Sequence, residues 1–258
     1  MSKVHPTAIV EEGASVHESA EIGAYTLVGP LVTIGPDCRI GPHVVLTGRT
    51  TIGARTRIFQ FASIGEEPQD KKYAGEDTEL IIGEDNTIRE LCTFSRGTTQ
   101  GGGKTVIGNN NWIMACVHIA HDCQLGDNII MANNTSLAGH VSVGDWAILS
   151  GYSLIHQFCS VGTHSFTSFA SHVNQSIPPY VTVSGEKARA KGVNTEGLRR
   201  RGFTPEQIQQ VRRAYRVLYR DGLPLQEARE KLNEMALDSE EIRPLVEFLD
   251  TTEKSMIR

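Results

Sequence analysis

Aromatic side chains are scarce in this 258-residue chain, at 6%, which excludes a domain organised around a large aromatic core. Cysteine is sparse as well. Cys38, Cys92, Cys116, Cys123 and Cys159 show neither CxxC nor disulfide-framework spacing, so they read as small buried residues in a reducing compartment. No apolar run is long enough to cross a bilayer, and the opening MSKVHPTAIVEEGAS has no apolar leader segment. A cytoplasmic, soluble protein with no stable membrane insertion is expected. Net positive charge is also missing: at −5, the chain is not expected to bind nucleic acid. The charge is uneven, with 11 basic and 18 acidic residues over 1–187 and 14 and 12 over 188–258. The mildly basic C-terminal part leaves room for a phosphate or an acidic partner.

Glycine, at 25 residues, is plentiful, and aliphatic residues recur every six positions. The series runs Val10, Val16, Ile22, Val28, Ile34, Ile40, Leu46, Ile52, Ile58 and Ile64, then returns at Ile82, Ile88 and Phe94. After a one-residue shift of phase it resumes at Ile107 and continues to Val173, with only Thr167 polar. A helix would need apolar spacings of three and four, and a common strand would alternate in twos. One inward aliphatic per six residues instead fits short flat strands joined by sharp corners. Three such strands make a triangular coil of about 18 residues, and coils stack by parallel pairing about 4.8 Å apart. This resembles the hexapeptide-repeat family, whose winding is left-handed against the usual crossover rule. The expected fold is a mainly β, left-handed parallel β-helix over 1–187, with a small α-helical domain over 188–258.

Two segments break the period. EEPQDKKYAGEDTE (66–79) keeps the phase and should loop out of the wall, carrying Asp70 and Lys72. SRGTTQGGGKT (95–105), with three consecutive glycines, should form a mobile flap; it lacks the spacing and the strand–helix context of a nucleotide-binding glycine loop. After Pro178-Pro179 the hexads stop. Thr204-Pro205-Glu206-Gln207 is a capping box opening a helix that ends near Gly222, and two shorter helices are expected near 224–236 and 239–250. The helices would cap one end of the stack. Arg199-Arg200-Arg201 is either a solvated face or a diphosphate contact.

Histidines cluster at 118, 121, 140 and 156. Eighteen-residue arithmetic puts His121, Gly139 and Gln157 in one column and Asp122, His140 and Phe158 in the next. A base beside an uncovered backbone amide is what acyl transfer from a thioester requires: one to deprotonate an alcohol, the other to hold the oxyanion. Two other readings stand beside this one: polar residues that merely face solvent, and a zinc site of the kind found in hexapeptide-repeat carbonic anhydrases.

The segments FQFASIGEEPQDKKYAGE, HIAHDC, LAGHVSV, HQFC and EGLRRRGF resemble the UDP-N-acetylglucosamine 3-O-acyltransferases of lipid A biosynthesis, nearly end to end. The resemblance implies transfer of an (R)-3-hydroxyacyl chain from acyl carrier protein to the 3-hydroxyl of UDP-N-acetylglucosamine. It needs no metal and no cofactor beyond the carrier's phosphopantetheine. It implies His121 as general base, Asp122 as its orienting partner and Gly139 as oxyanion donor. Asp70, Lys72, His118, His140, His156 and Gln157 would line the sugar, pantetheine and nucleotide pocket, while Asn194, Glu196, Arg200 and Arg201 would reach the uridine diphosphate. Ser95 departs from the pattern, since relatives commonly have histidine there.

Three alternatives remain: the N-acyltransferase of the same pathway, a coenzyme A-dependent acetyltransferase, and a non-catalytic binding solenoid. The first carries a uridine-binding domain ahead of its repeats, whereas the hexads here begin at Val4. A near-flat wall rarely buries a substrate alone, so a homotrimer with the site between prisms is expected, as in the family. Relatives that take longer chains tend to have glycine where this chain has Phe169, which the resemblance marks as an acyl-chain ruler. The alternative is a Phe that plugs the coil interior or a subunit interface. Treating His121 to Phe169 as about 2.7 coils gives roughly 13 Å along the axis and a chain on the order of ten carbons.

Overall fold

The six-residue period folds as strands of two to four residues separated by turns, wound into three sheets of nine, eight and ten strands that are parallel except for the last strand of the third. The computed structural model describes residues 4–252 and 255–258. Each strand pairs with strands one coil before and after it, the order expected of a left-handed triangular solenoid. The chain visits the first sheet (beginning at Ile9–Val10), the second (from Ser15–Val16) and the third (from Glu21–Ile22) in turn. Three corners therefore run along the prism: first-to-second, second-to-third and third-to-first.

The aliphatic series faces inward. Along the third sheet Ile22, Ile40, Ile58, Ile88, Ile113, Met131 and Leu149 stack in register and are buried. Each such side chain contributes about 1.5–3 kcal/mol of hydrophobic stabilisation. The one polar member, Thr167, is fully buried but satisfied: its hydroxyl meets Ser153 Oγ at 2.6 Å and accepts from the Ser150 N–H. The glycines that follow the aliphatics serve coil stacking. A Cβ on Gly53 would lie 2.5 Å from the Gly83 carbonyl carbon, so no side chain fits between those coils.

At the C-terminal end the last parallel strand, Val181–Ser184, turns back and pairs antiparallel with Arg189–Val193. The expected division at residue 187 falls within the turn of this hairpin. Helix α1 (Thr195–Arg200) follows, a six-residue element too short to leave a periodic signature and not expected from the sequence. Helix α2 (Pro205–Tyr219) has the full capping box, with Thr204 and Gln207 satisfying each other's backbone N–H. Helix α3 (Leu225–Asp238) and a 3-10 turn leading into helix α4 (Arg243–Thr251) complete the domain. Tyr215, Tyr219 and Ile257 pack on the end of the solenoid core, and Ala214, Val217 and Leu218 of α2 share a second core with Ala228, Leu232 and Leu245.

Candidate active site

Both insertions leave the prism at the first-to-second corner, from the strands Ser63–Glu66 and Thr93–Ser95. The next coils at that corner carry His121, then Gly139, then Gln157. The two breaks in the repeat thus sit directly beside the histidine cluster. The expected mobile flap at 95–105 is instead a packed element. Thr99–Gly101 forms a 3-10 turn capped by Thr98, and Ser95, Arg96 and Thr98 are buried. The physical reason is a buried charge: the side chain of Asp122 is fully enclosed and needs donors, which this segment supplies.

His121 Nδ1 lies 2.8 Å from Asp122 Oδ2. Asp122 accepts the Thr98 N–H on Oδ1 at 2.7 Å and the Thr98 hydroxyl on Oδ2 at 2.7 Å. A carboxylate with both oxygens accepting takes the imidazole proton on Nδ1, leaving His121 Nε2 as the free lone pair. The ring lies on Gly139, where an added Cβ would sit 2.8 Å from Nε2. The Gly139 N–H donates to nothing among the described residues. Base and bare amide are therefore adjacent.

His140 stands edge-on to His121, with ring centres 5.2 Å apart, and stacks on Phe158 at 4.6 Å. Asp122, His140 and Phe158 all sit in the left-handed region, at φ 61°, 60° and 66°. This conformation is uncommon for side-chain-bearing residues and is imposed by the corner. Burial pushes His140 below the usual histidine range, with His121 adding to the effect and the charges of Asp122 and Asp70 opposing it. Burial likewise lowers His118, which bonds Thr93 Oγ1 at 2.8 Å. Asp70 also caps its own loop, accepting the Lys72 N–H, while Lys72 is exposed. His156 is exposed at this corner, with Nδ1 on the Gln157 carbonyl.

The remaining expected residues lie elsewhere. Asn194 caps α1, accepting from the Gly197 N–H, and donates to the His164 carbonyl at the second-to-third corner. Glu196 pairs with Arg199 and Arg200. Arg201 lies over the Trp146 ring, 5.3 Å from its centre. Phe169 sits at the third-to-first corner, 70% exposed, against Gly151 and edge-on to Tyr152. That position excludes a plug of the coil interior. His121 and Phe169 follow strands of different sheets, so the roughly 13 Å expected along the axis is only the axial part of their separation.

The zinc alternative fits less well than a base. Ligand atoms of His121, Asp122 and His140 lie within 4.8 Å of one another. The Asp122 oxygens, however, are already engaged by Thr98 and His121, and His121 turns Nδ1 toward Asp122. The sequence reading missed Thr98, Gly101 and Thr105, whose hydroxyl accepts the Asp122 N–H at 2.8 Å. It also missed Arg96, which joins the two insertions by donating to the Gly65 carbonyl and to the Tyr73 hydroxyl. Their only signal was the break itself.

The family profile described as Udp N-acetylglucosamine O-acyltransferase, domain 2, matches residues 177–257, and that of the bacterial transferase hexapeptide matches 104–139. The acyl-[acyl-carrier-protein]–UDP-N-acetylglucosamine O-acyltransferase of Janthinobacterium sp. (strain Marseille) is 54% identical over the full length of both chains. The chain belongs to the UDP-N-acetylglucosamine O-acyltransferase family. Among solved structures of that family, LpxA of Acinetobacter baumannii superposes with a TM-score of 0.97 at 43% identity, covering all of both chains. The Moraxella catarrhalis enzyme gives 0.97 at 42%, covering 99% of this chain and 100% of its own. Family membership removes the non-catalytic solenoid from consideration.

Proposed function

We propose that this protein transfers an (R)-3-hydroxyacyl chain from the phosphopantetheine of acyl carrier protein to the 3-hydroxyl of UDP-N-acetylglucosamine, the first step of lipid A biosynthesis, in the cytoplasm. The observation that carries the mechanism is His121, backed by Asp122 and lying on Gly139. His121 Nε2 takes the proton of the sugar hydroxyl as its oxygen attacks the thioester carbonyl. The Gly139 N–H stabilises the oxyanion that forms, and the imidazolium returns its proton to the departing thiolate. Asp122 holds the ring in the working tautomer and stabilises its charged form.

His140, His156, Gln157, Asp70 and Lys72 share the first-to-second corner or its insertion, and His118 lies on the first-sheet strand leading into it, as a pocket for sugar and pantetheine requires. Asn194 and Arg201 meet another corner from the two ends of α1, the helix that carries Glu196 and Arg200, and Phe169 lies at a third. One prism cannot turn three corners toward a single substrate. A threefold assembly that sets one subunit's corner against its neighbour's would share them, and a homotrimer with shared sites is part of this proposal. No helix among the described residues is long and apolar enough to cross a membrane.

The test is turnover of UDP-N-acetylglucosamine with 3-hydroxyacyl carrier protein beside acetyl-coenzyme A with the same acceptor. Turnover with the first donor and none with the second is expected. The reverse would establish a coenzyme A-dependent acetyltransferase, and turnover of an amino-sugar acceptor alone would establish the N-acyltransferase.

A further inference from the structure

We propose that Thr98 is a positioning residue for the reaction, fixing Asp122 so that His121 keeps its basic nitrogen toward the substrate. The inference rests on the reading of His121 as base and Asp122 as its partner. The carboxylate of Asp122 is held from outside the solenoid wall. Its backbone N–H goes to Thr105, on the second-sheet strand Lys104–Ile107 that receives the glycine-rich insertion, while its carboxylate goes to Thr98 within the insertion. Nothing in the hexad pattern requires the Thr98 contact.

The direction of the Thr98 hydroxyl is determined by its surroundings. Oγ1 accepts the Gly101 N–H at 3.2 Å, and its single proton is left for Asp122 Oδ2 at 2.7 Å. The Thr98 N–H meanwhile donates to Oδ1. Two donors from one residue grip both carboxylate oxygens and fix the rotation of the carboxyl plane, which sets where Oδ2 meets His121 Nδ1. Gly101 closes the clasp: an added Cβ would lie 2.1 Å from Asp122 Cγ. The three glycines, Gly101 to Gly103, thereby gain a role other than phosphate binding. Gly101 must be bare to cover the carboxylate, and Gly102 and Gly103 take φ of 92° and 83° to reverse the chain, with the Gly103 N–H closing on the Thr98 carbonyl.

Hydrogen bonds to a buried charge are among the stronger ones, so losing the hydroxyl should matter. Thr98→Val keeps shape and loses the donor. It should lower kcat by roughly tenfold to a hundredfold while changing KM for UDP-N-acetylglucosamine less than about twofold. Thr98→Ser should recover most of the loss. On an Asp122→Asn background the same Thr98→Val change should cost less than about threefold, because its effect passes through Asp122. Thr98→Ala supplies the same readout if the valine variant does not fold. Wild-type kcat in both the Val and Ala variants, a loss confined to KM, no rescue by Ser, or full additivity with Asp122→Asn would each overturn the proposal. His121→Ala, assayed alongside, separates the two readings: high residual activity there removes the base itself, whereas an inactive His121→Ala beside a wild-type-like Thr98→Val removes only the role of Thr98.

Discussion

His121 is 9% exposed, with one nitrogen committed to Asp122 and the other facing out over Gly139. Replacing it with alanine removes a ring lying on the corner without opening the aliphatic core, so the fold should persist. His121→Ala should lower kcat by about two to four powers of ten with an unchanged circular dichroism spectrum, and retention of more than about a tenth of the activity would remove the residue from the mechanism. A different histidine bears on stability. His164 stacks with Trp146 and Tyr180 and meets Phe203 edge-on, with an Arg201 Nη1 3.4 Å from its Nδ1. Burial, with the Arg201 charge added, pushes it down to about 4. The unfolded chain binds this proton more readily, so the contribution of His164 is complete above about pH 6.5 and falls as pH drops toward 4. After discounting for partial exposure, the wild type should lose about 1 kcal/mol from this group between pH 7.5 and 5. His164→Phe keeps the stacking and should flatten that part of the profile in urea unfolding; an unchanged slope would show that the ring does not titrate this way.

Among the elements, the corners divide the labour. Strands facing inward are nearly interchangeable aliphatics, while each corner has its own character. The one bearing Phe169 holds Gly151 one coil earlier and Asn133 and Ala115 before that, a shallow track that ends in a benzyl group. The ring contacts the bare Gly151 position and Tyr152. Read as the end of an acyl groove at a seam between subunits, Phe169 limits chain length to a medium (R)-3-hydroxyacyl donor. Phe169→Gly should shift preference to chains longer by about three or four methylenes, close to one coil spacing. Competition among carrier-protein thioesters of graded length checks this. Identical ranking by wild type and mutant would leave Phe169 as an interface contact and place the ruler elsewhere.

For the whole molecule, the separation of the expected site residues onto three corners is the decisive feature. If His121 from one subunit works with Arg201 from another, two inactive variants can complement. Subunits carrying His121→Ala and subunits carrying Arg201→Ala, unfolded together and refolded at equal ratio, should regain about a quarter of wild-type activity, since one junction in four then joins two intact halves. No recovery, or light scattering that shows an active monomer, would mean that one chain builds the site alone.

The repeat, the three-sided prism, the exit points of both insertions and the His121–Gly139 column followed from the sequence because each depends on a fixed six-residue step. Inward aliphatics specify strand register, and register alone decides which side chains meet one coil away. The capping box of α2 was legible for a similar reason, being a contact between neighbours three residues apart. Helix α1, the packed state of 95–105, and the Thr98 and Thr105 contacts to Asp122 were not legible. The Thr98 contact depends on where a non-periodic segment folds back, over 24 residues with no repeat to set it, whereas Thr105 lies on the strand one coil before Asp122 and is hidden only by the shift of phase across the insertion. The docking of Asn194 and Arg201 on the second-to-third corner was also a tertiary outcome, because both lie beyond the last hexad. Within the hexads, spacing gives both the distance along the axis and the corner, as for Phe169; beyond the last hexad only the packing of the chain decides which corner a residue meets.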